Sequence, residues 1–147
     1  MSERRVLGIV GSEAAKFTKE TEADARSRIH LLIASPDVAG VVSGACHLGG
    51  VDLWAAEIGR QLGKKVVEHA PKTRSWTAGY MPRNLAIARD CTECHCFTVK
   101  QFPVGYTGMK FPYCYHCKTN EHIKSGGCWT VKQARKMGKD GYVHVIG

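Results

Sequence analysis

Long apolar runs are missing from this chain: none reaches the roughly 18 to 20 residues a membrane span needs, so no membrane partner is expected. The N-terminal stretch from Met1 to Arg5 leads into too short an apolar run for a secretory signal, and the expected location is cytoplasmic. Internal repeats and low-complexity tracts are absent as well, and nothing suggests disorder. Acidic residues are scarce in the last third. Residues 98–147 hold 2 Asp/Glu against 8 Lys/Arg, a net +6, whereas residues 1–97 hold 11 against 13, a net +2. Such an excess attracts the phosphates of a nucleotide or a nucleic acid, or else forms a solvated face. No arginine-rich run or aromatic-interleaved RNA motif narrows the choice.

What is present fits one domain spanning residues 1–147, long enough to bury a core. Seven cysteines are an odd number for a disulfide framework, and six of them lie between positions 91 and 128, so metal binding is favoured in a reducing compartment. Cys46 stands apart and is expected to be merely buried.

Strands and helices alternate along the chain. Strands are expected at Arg5–Val10, Val38–Ser43, Lys65–His69, His95–Val99 and Tyr142–Ile146. Helices are expected at Thr18–Ala34, at Val51–Leu62 with Leu53, Ala56 and Ile58 inward, from Pro82 through Arg89, and at Trp129–Met137. Repeated βα units give an α/β fold, a Rossmann-like, doubly wound parallel sheet of about five strands with its ligand at the carboxyl ends of the strands. From about residue 100 to 125 the alternation stops, in a Gly-, Pro-, Tyr- and Cys-rich segment too long for an ordinary strand-to-helix loop, hence an insertion after the fourth strand.

The insertion carries a metal-ligand spacing. Cys114, Cys117, His122 and Cys128 follow Cys-x2-Cys-x4-His-x5-Cys, three thiolates and an imidazole, the donor set of a structural tetrahedral zinc. A rival set pairs Cys114 and Cys117 with Cys91 and Cys94 in the spacing of a zinc ribbon. The fourth strand separates Cys91 from the start of the insertion by roughly 25 Å, at about 3.3 Å per residue, which disfavours the ribbon. Cys94 and Cys96 share one side of that strand and read as small core residues, although both remain alternatives to Cys128 as the fourth ligand. Four protein ligands leave no open position, so the zinc is expected to be structural.

Three glycine-bearing loops converge on the carboxyl edge: Gly11-Ser12, Ser43-Gly44-Ala45 with Gly50 and Asp52, and Gly126-Gly127 with Thr130. With Arg83-Asn84 before a helix, these motifs resemble the SLOG superfamily, the Rossmann-like group containing the DprA/SMF proteins and the Lonely Guy phosphoribohydrolases. The resemblance is greatest to a small set of nucleotide-binding proteins within it, and covers most of residues 5–99 and 123–147. The Ser43–Asp52 loop is one residue longer than that pattern. The resemblance implies a nucleotide or nucleotide-derived ligand, with Gly11, Ser12, Ser43, Gly44, Asp52, Arg83, Asn84, Gly126, Gly127 and Thr130 as its contacts. Arg83 would pair bidentately with phosphate at a helix N-terminus, and Asp52 would orient a ribose or cap its helix.

One departure bears on catalysis. The phosphoribohydrolases carry a glutamate for glycosidic-bond cleavage where this chain has Gln133, and an amide cannot take or hold a proton at neutral pH. If the protein is an enzyme, nucleotide N-glycosidic hydrolysis is the expected reaction, with Asp52, Glu57 or Asp90 as the substitute carboxylate. Trp129 either stacks on a base or wedges the insertion against the sheet. The competing reading is a non-catalytic module that binds single-stranded nucleic acid through Tyr113, Tyr115 and Trp129, or a nucleotide sensor; a homo-oligomer is left open.

Overall fold

The computed structural model describes residues 4–147, so Met1 to Glu3, on which part of the N-terminal reading rests, lie outside the described residues. Five strands form one sheet: β1 (Arg5–Gly11), β2 (Val38–Gly44), β3 (Lys65–His69), β4 (Glu93–Val99) and β5 (Asp140–Ile146). All pairings are parallel, in the order β3-β2-β1-β4-β5. The order reverses between β1 and β4, so the chain leaves these neighbouring strands in opposite directions and opens a crevice at their carboxyl ends, where open α/β sheets bind ligands.

Helices cover both faces. α1 (Lys19–Ile33) starts with a capping box, in which the Thr18 hydroxyl accepts from the Thr21 N–H and the Thr21 side chain returns to the Thr18 N–H. With α2 (Val51–Gln61) it closes a core of Leu7, Ile9, Ile29, Ile33, Trp54 and Phe97. On the other face, α3 (Met81–Asp90) and α4 (Gly126–Lys136) pack over Val10, Val42, Ile87, Cys94, Cys96 and Val131. Cys94 and Cys96 are both buried there, on one side of β4 as their spacing requires. No helix among the described residues is long and apolar enough to cross a membrane.

Three expectations need correction. Leu53 is 40% exposed rather than inward, because Trp54 and Ala55 take the buried stripe of α2 together with Ala56 and Ile58. A π-helical turn at Trp76–Tyr80 runs directly into α3, capped by the Ser75 hydroxyl, so α3 offers no free N-terminus near Arg83. Gly126 and Gly127 form the first turn of α4 instead of a loop before it.

The crevice depends on close backbone approach at Gly11, the last residue of β1. A carbon added there would collide with the Phe97 carbonyl and come within 2.9 Å of the Val51 side chain, and the carbonyl belongs to a sheet that cannot yield. Gly11→Ala is therefore expected to destabilise the fold by about 1–3 kcal/mol in urea unfolding. Gly126→Ala, with nothing within 4 Å of its added carbon, should leave the midpoint unchanged. An unaltered midpoint for Gly11→Ala would contradict this packing.

Candidate functional site

The insertion leaves β4 after Val99 and comes back to the same strand end, where the Ile123 N–H donates to the Val99 carbonyl at 3.0 Å. Between residues 100 and 125 only Cys114, His122, Ile123 and Ser125 are buried. So small a core cannot hold a segment of this length by apolar burial alone, and segments of this kind are usually stapled. Cys114 and Thr119 exchange backbone hydrogen bonds of 2.9 and 3.2 Å across a tight turn, with Lys118 in the left-handed region at φ 55°. That turn holds Cys117 beside Cys114.

One ligand atom from each of Cys114, Cys117, His122 and Cys128 lies within 4.8 Å of the others. Zinc–sulfur bonds of about 2.3 Å in a tetrahedron separate sulfurs by roughly 3.8 Å, so the set closes on a metal with a contraction of about 1 Å or less. The donors fit a metal in detail. His122 Nδ1 lies 2.8 Å from the Ile123 carbonyl, which can only accept, so Nδ1 carries the proton and Nε2 presents its lone pair. Burial works to raise the Cys114 thiol, but the N–H groups of Cys117, Ser125 and His116 outweigh it and hold the thiol below its ordinary range. Burial and the neighbouring sulfurs instead push Cys117 up to about 12, and the Cys96 hydrogen bond with burial raises Cys128, so ionising all three thiols requires a bound cation. Cys91 and Cys94 do not join this set. Cys96 approaches it from β4, with its Sγ 3.9 Å from Cys128 Sγ and 3.6 Å from Ser125 Oγ, but it stays outside the four.

Cys128 lies in the first turn of α4, and the same turn forms one wall of a cleft of about 400 Å³ at the carboxyl end of β1. Of the residues expected to bind a nucleotide, Gly11, Asp52, Arg83, Asn84, Gly126, Gly127 and Thr130 line it. Ser12, Ser43 and Gly44 do not. The Ser12 hydroxyl bonds Thr98 Oγ1 at 3.0 Å between β1 and β4, and the Ser43 hydroxyl donates to the Asp52 carbonyl at 3.1 Å, so both are consumed inside the fold. Gly44 is a glycine because the Arg83 guanidinium crosses where its side chain would stand.

Arg83 is the centre of the cleft. Its side chain is 9% exposed, its Nε donates to Asn84 Oδ1 at 2.7 Å, its Nη1 lies 3.7 Å from Asp52 Oδ2, and its guanidinium sits 5.4 Å from the Tyr80 ring centroid. Among the described residues two buried side-chain polar atoms have no hydrogen-bond partner, Arg83 Nη1 and Thr130 Oγ1, and both residues border this cleft. An orphaned buried donor costs about 1–3 kcal/mol, more when charged, and a ligand that accepts from it recovers that cost. Lys16 and Lys124 add two more cations to the wall, and the first turn of α4 has no acidic residue to neutralise its dipole. Burial lowers the Lys16 pKa, partly offset by Glu13.

The carboxylates separate cleanly. Asp52 does not cap α2; buried at the base of the cleft, it is pushed by desolvation up to about 7 against the pull of Arg83 and a Gly11 backbone hydrogen bond. Glu57 is exposed and pairs with Arg26 at 3.4 Å on α2. Asp90 pairs with His69 at 2.7 Å and borders a separate, largely apolar cavity with Val6, Val42 and Val67. Glu57 and Asp90 therefore lie outside the cleft.

Lys16, Lys124, Trp76, Tyr80 and the loop Cys46-His47-Leu48 also line the cleft and were not anticipated. Cys46 is half-buried at its rim, not a core residue. The net charge of residues 98–147 pointed toward Lys124 without placing it, and no sequence signal marked Lys16 or the π-helical turn that brings Trp76 and Tyr80.

No protein-family model matches the sequence. No curated protein matches it either. Two solved structures share the fold. The molybdenum cofactor carrier protein MCP from Chlamydomonas reinhardtii superposes with a TM-score of 0.59 at 15% identity, over 97% of this chain and 89% of that one. DNA processing protein A (DprA) from Streptococcus pneumoniae superposes with a TM-score of 0.55 at 16% identity, over 95% of this chain but 50% of that one. The chain thus shares the Rossmann-like α/β fold of these two proteins.

The Asp52 carboxyl yields a test with a defined sign. Its folded pKa near 7 exceeds the unfolded value of about 3.9, so the folded state binds the extra proton and wild-type stability falls as pH rises from about 4 to about 7. Relative to wild type, Asp52→Asn should gain up to about 1.4 kcal/mol per pH unit across that window in urea unfolding. A relative loss with rising pH would mean that Arg83 dominates and the carboxylate is ionised throughout.

Proposed function

We propose that the protein binds a nucleotide or nucleotide-derived phosphate ligand in the cleft at the carboxyl edge of the sheet, and that Cys114, Cys117, His122 and Cys128 hold one structural zinc. The observation that carries the reading is the pair of buried, unpartnered polar atoms, Arg83 Nη1 and Thr130 Oγ1, in a cleft walled by Lys16 and Lys124. A phosphate in the cleft would accept from Arg83 and Thr130 once their side chains turn toward it, and Gly126 leaves room for it at the start of α4. Asn84 holds Arg83 in position by accepting from its Nε. Trp76 and Tyr80 offer rings to a base or another flat group.

Binding is favoured over cleavage. Of the three carboxylates considered for N-glycosidic hydrolysis only Asp52 lines the cleft, and it already faces Arg83 and the Gly11 backbone. The carrier role named for MCP and the DNA processing named for DprA accord with a fold that serves ligand binding. The zinc would supply no chemistry at the cleft. Its four protein ligands close its shell, and its part is to fix the insertion and the first turn of α4.

Equilibrium dialysis with adenosine monophosphate tests the ligand. Binding is expected, with Arg83→Met weakening it about tenfold or more, as the loss of a charge-assisted phosphate contact implies. Failure of nucleoside mono- and diphosphates to bind would overturn the reading, and release of free adenine would show that the cleft also cuts. Metal analysis should find one zinc per chain, and Cys117→Ser should lose it and lower the melting temperature. Full zinc retention in Cys117→Ser would refute the ligand set.

A further inference from the structure

Beside the cleft runs a strip of exposed rings with one shared cation, Phe111 and Tyr115 standing outside the cleft lining. Phe111 and Tyr115 are 46% and 54% exposed, and Lys124 Nζ lies 5.5 Å from the centroid of each ring. The Lys124 N–H donates to the Phe111 carbonyl at 2.9 Å, so the backbone holds this cluster in place. Lys124 is also a wall of the cleft, which makes the strip continuous with it. Trp76, another cleft-lining residue, is 45% exposed and packs edge-on against Trp129 with centroids 4.8 Å apart.

Half-exposed rings that share a lysine suit a single-stranded nucleic acid, since bases stack on exposed ring faces and cations follow the phosphates. The surrounding charge is complementary, as residues 98–147 carry a net +6. A duplex fits poorly, because paired bases have no free faces to offer and the cleft, at about 400 Å³, takes one unit of small-molecule size.

We infer that the cleft holds one nucleotide of a single-stranded nucleic acid whose neighbouring nucleotides stack along Phe111 and Tyr115. This rests on the nucleotide reading of the cleft and extends it from a free ligand to a polymer. Lys124 is the joint between the two surfaces, facing the phosphate in the cleft and the rings on the strip.

Fluorescence anisotropy with a single-stranded adenylate octamer, in competition with adenosine monophosphate, separates the two levels. The octamer is expected to bind about tenfold or more tighter than the mononucleotide, and more weakly as salt rises. The double variant Phe111→Ala/Tyr115→Ala should reduce the octamer to the mononucleotide level while leaving mononucleotide affinity and zinc content unchanged. Parallel deoxyribose and ribose octamers distinguish DNA from RNA, and a gain with either supports the inference. Mononucleotide binding with no gain for the octamer, an undiminished octamer affinity in the double variant, or equal binding of a duplex would overturn it. Absence of mononucleotide binding would instead overturn the cleft reading itself.

Discussion

Cys128 ties the molecule together, because its sulfur belongs to the four-ligand cluster and its backbone belongs to the first turn of α4. Gly126 and Gly127 of that turn border the cleft. A metal bound by the cluster would hold the turn from one side while a ligand meets it from the other. The insertion has little else to hold it, with Cys114, His122, Ile123 and Ser125 as its buried residues. Ser125 reinforces the joint, since its hydroxyl accepts from the Gly127 N–H at 3.2 Å and lies 3.6 Å from Cys96 Sγ on β4. Gly127 has no room for a side chain, as an added carbon would stand 2.8 Å from that same sulfur. The start of α4 is thus packed directly against β1 and β4.

The cleft itself is defined by an imbalance of charge. Arg83, Lys16 and Lys124 face it, whereas the one acid lining it among the described residues, Asp52, has its carboxyl pushed up to about 7 by burial. Such a site is under-neutralised when empty, and an anion relieves it. The Asp52–Arg83 contact, at 3.7 Å with no hydrogen bond from Nη1, holds the guanidinium in place without satisfying it. Asn84 completes that arrangement from the next residue along α3.

Much of this was legible in the sequence, for identifiable reasons. The five strands and their parallel pairing follow from βα alternation, and the grouping of Cys114, Cys117, His122 and Cys128 from local spacing. Side-chain direction was not legible. Ser12 and Ser43 sit at strand ends beside cleft-lining residues, yet sheet register turns their hydroxyls toward Thr98 and the Asp52 carbonyl. Arg83 was expected to meet an anion at its own helix N-terminus, but the π-helical turn before α3 occupies that end and the helix N-terminus that borders the cleft is that of α4. Lys16 and Trp76 come from segments with no motif, and only tertiary packing carries them to the cleft.

The claim at the centre of this account is that one structural unit serves both metal and ligand, and calorimetric titration tests it most directly. Adenosine monophosphate would be titrated into zinc-loaded protein and into chelator-stripped protein whose sheet is intact by circular dichroism. The loaded form is expected to bind about tenfold or more tighter, a coupling of about 1.4 kcal/mol or more. Equal affinities in the two forms would contradict it.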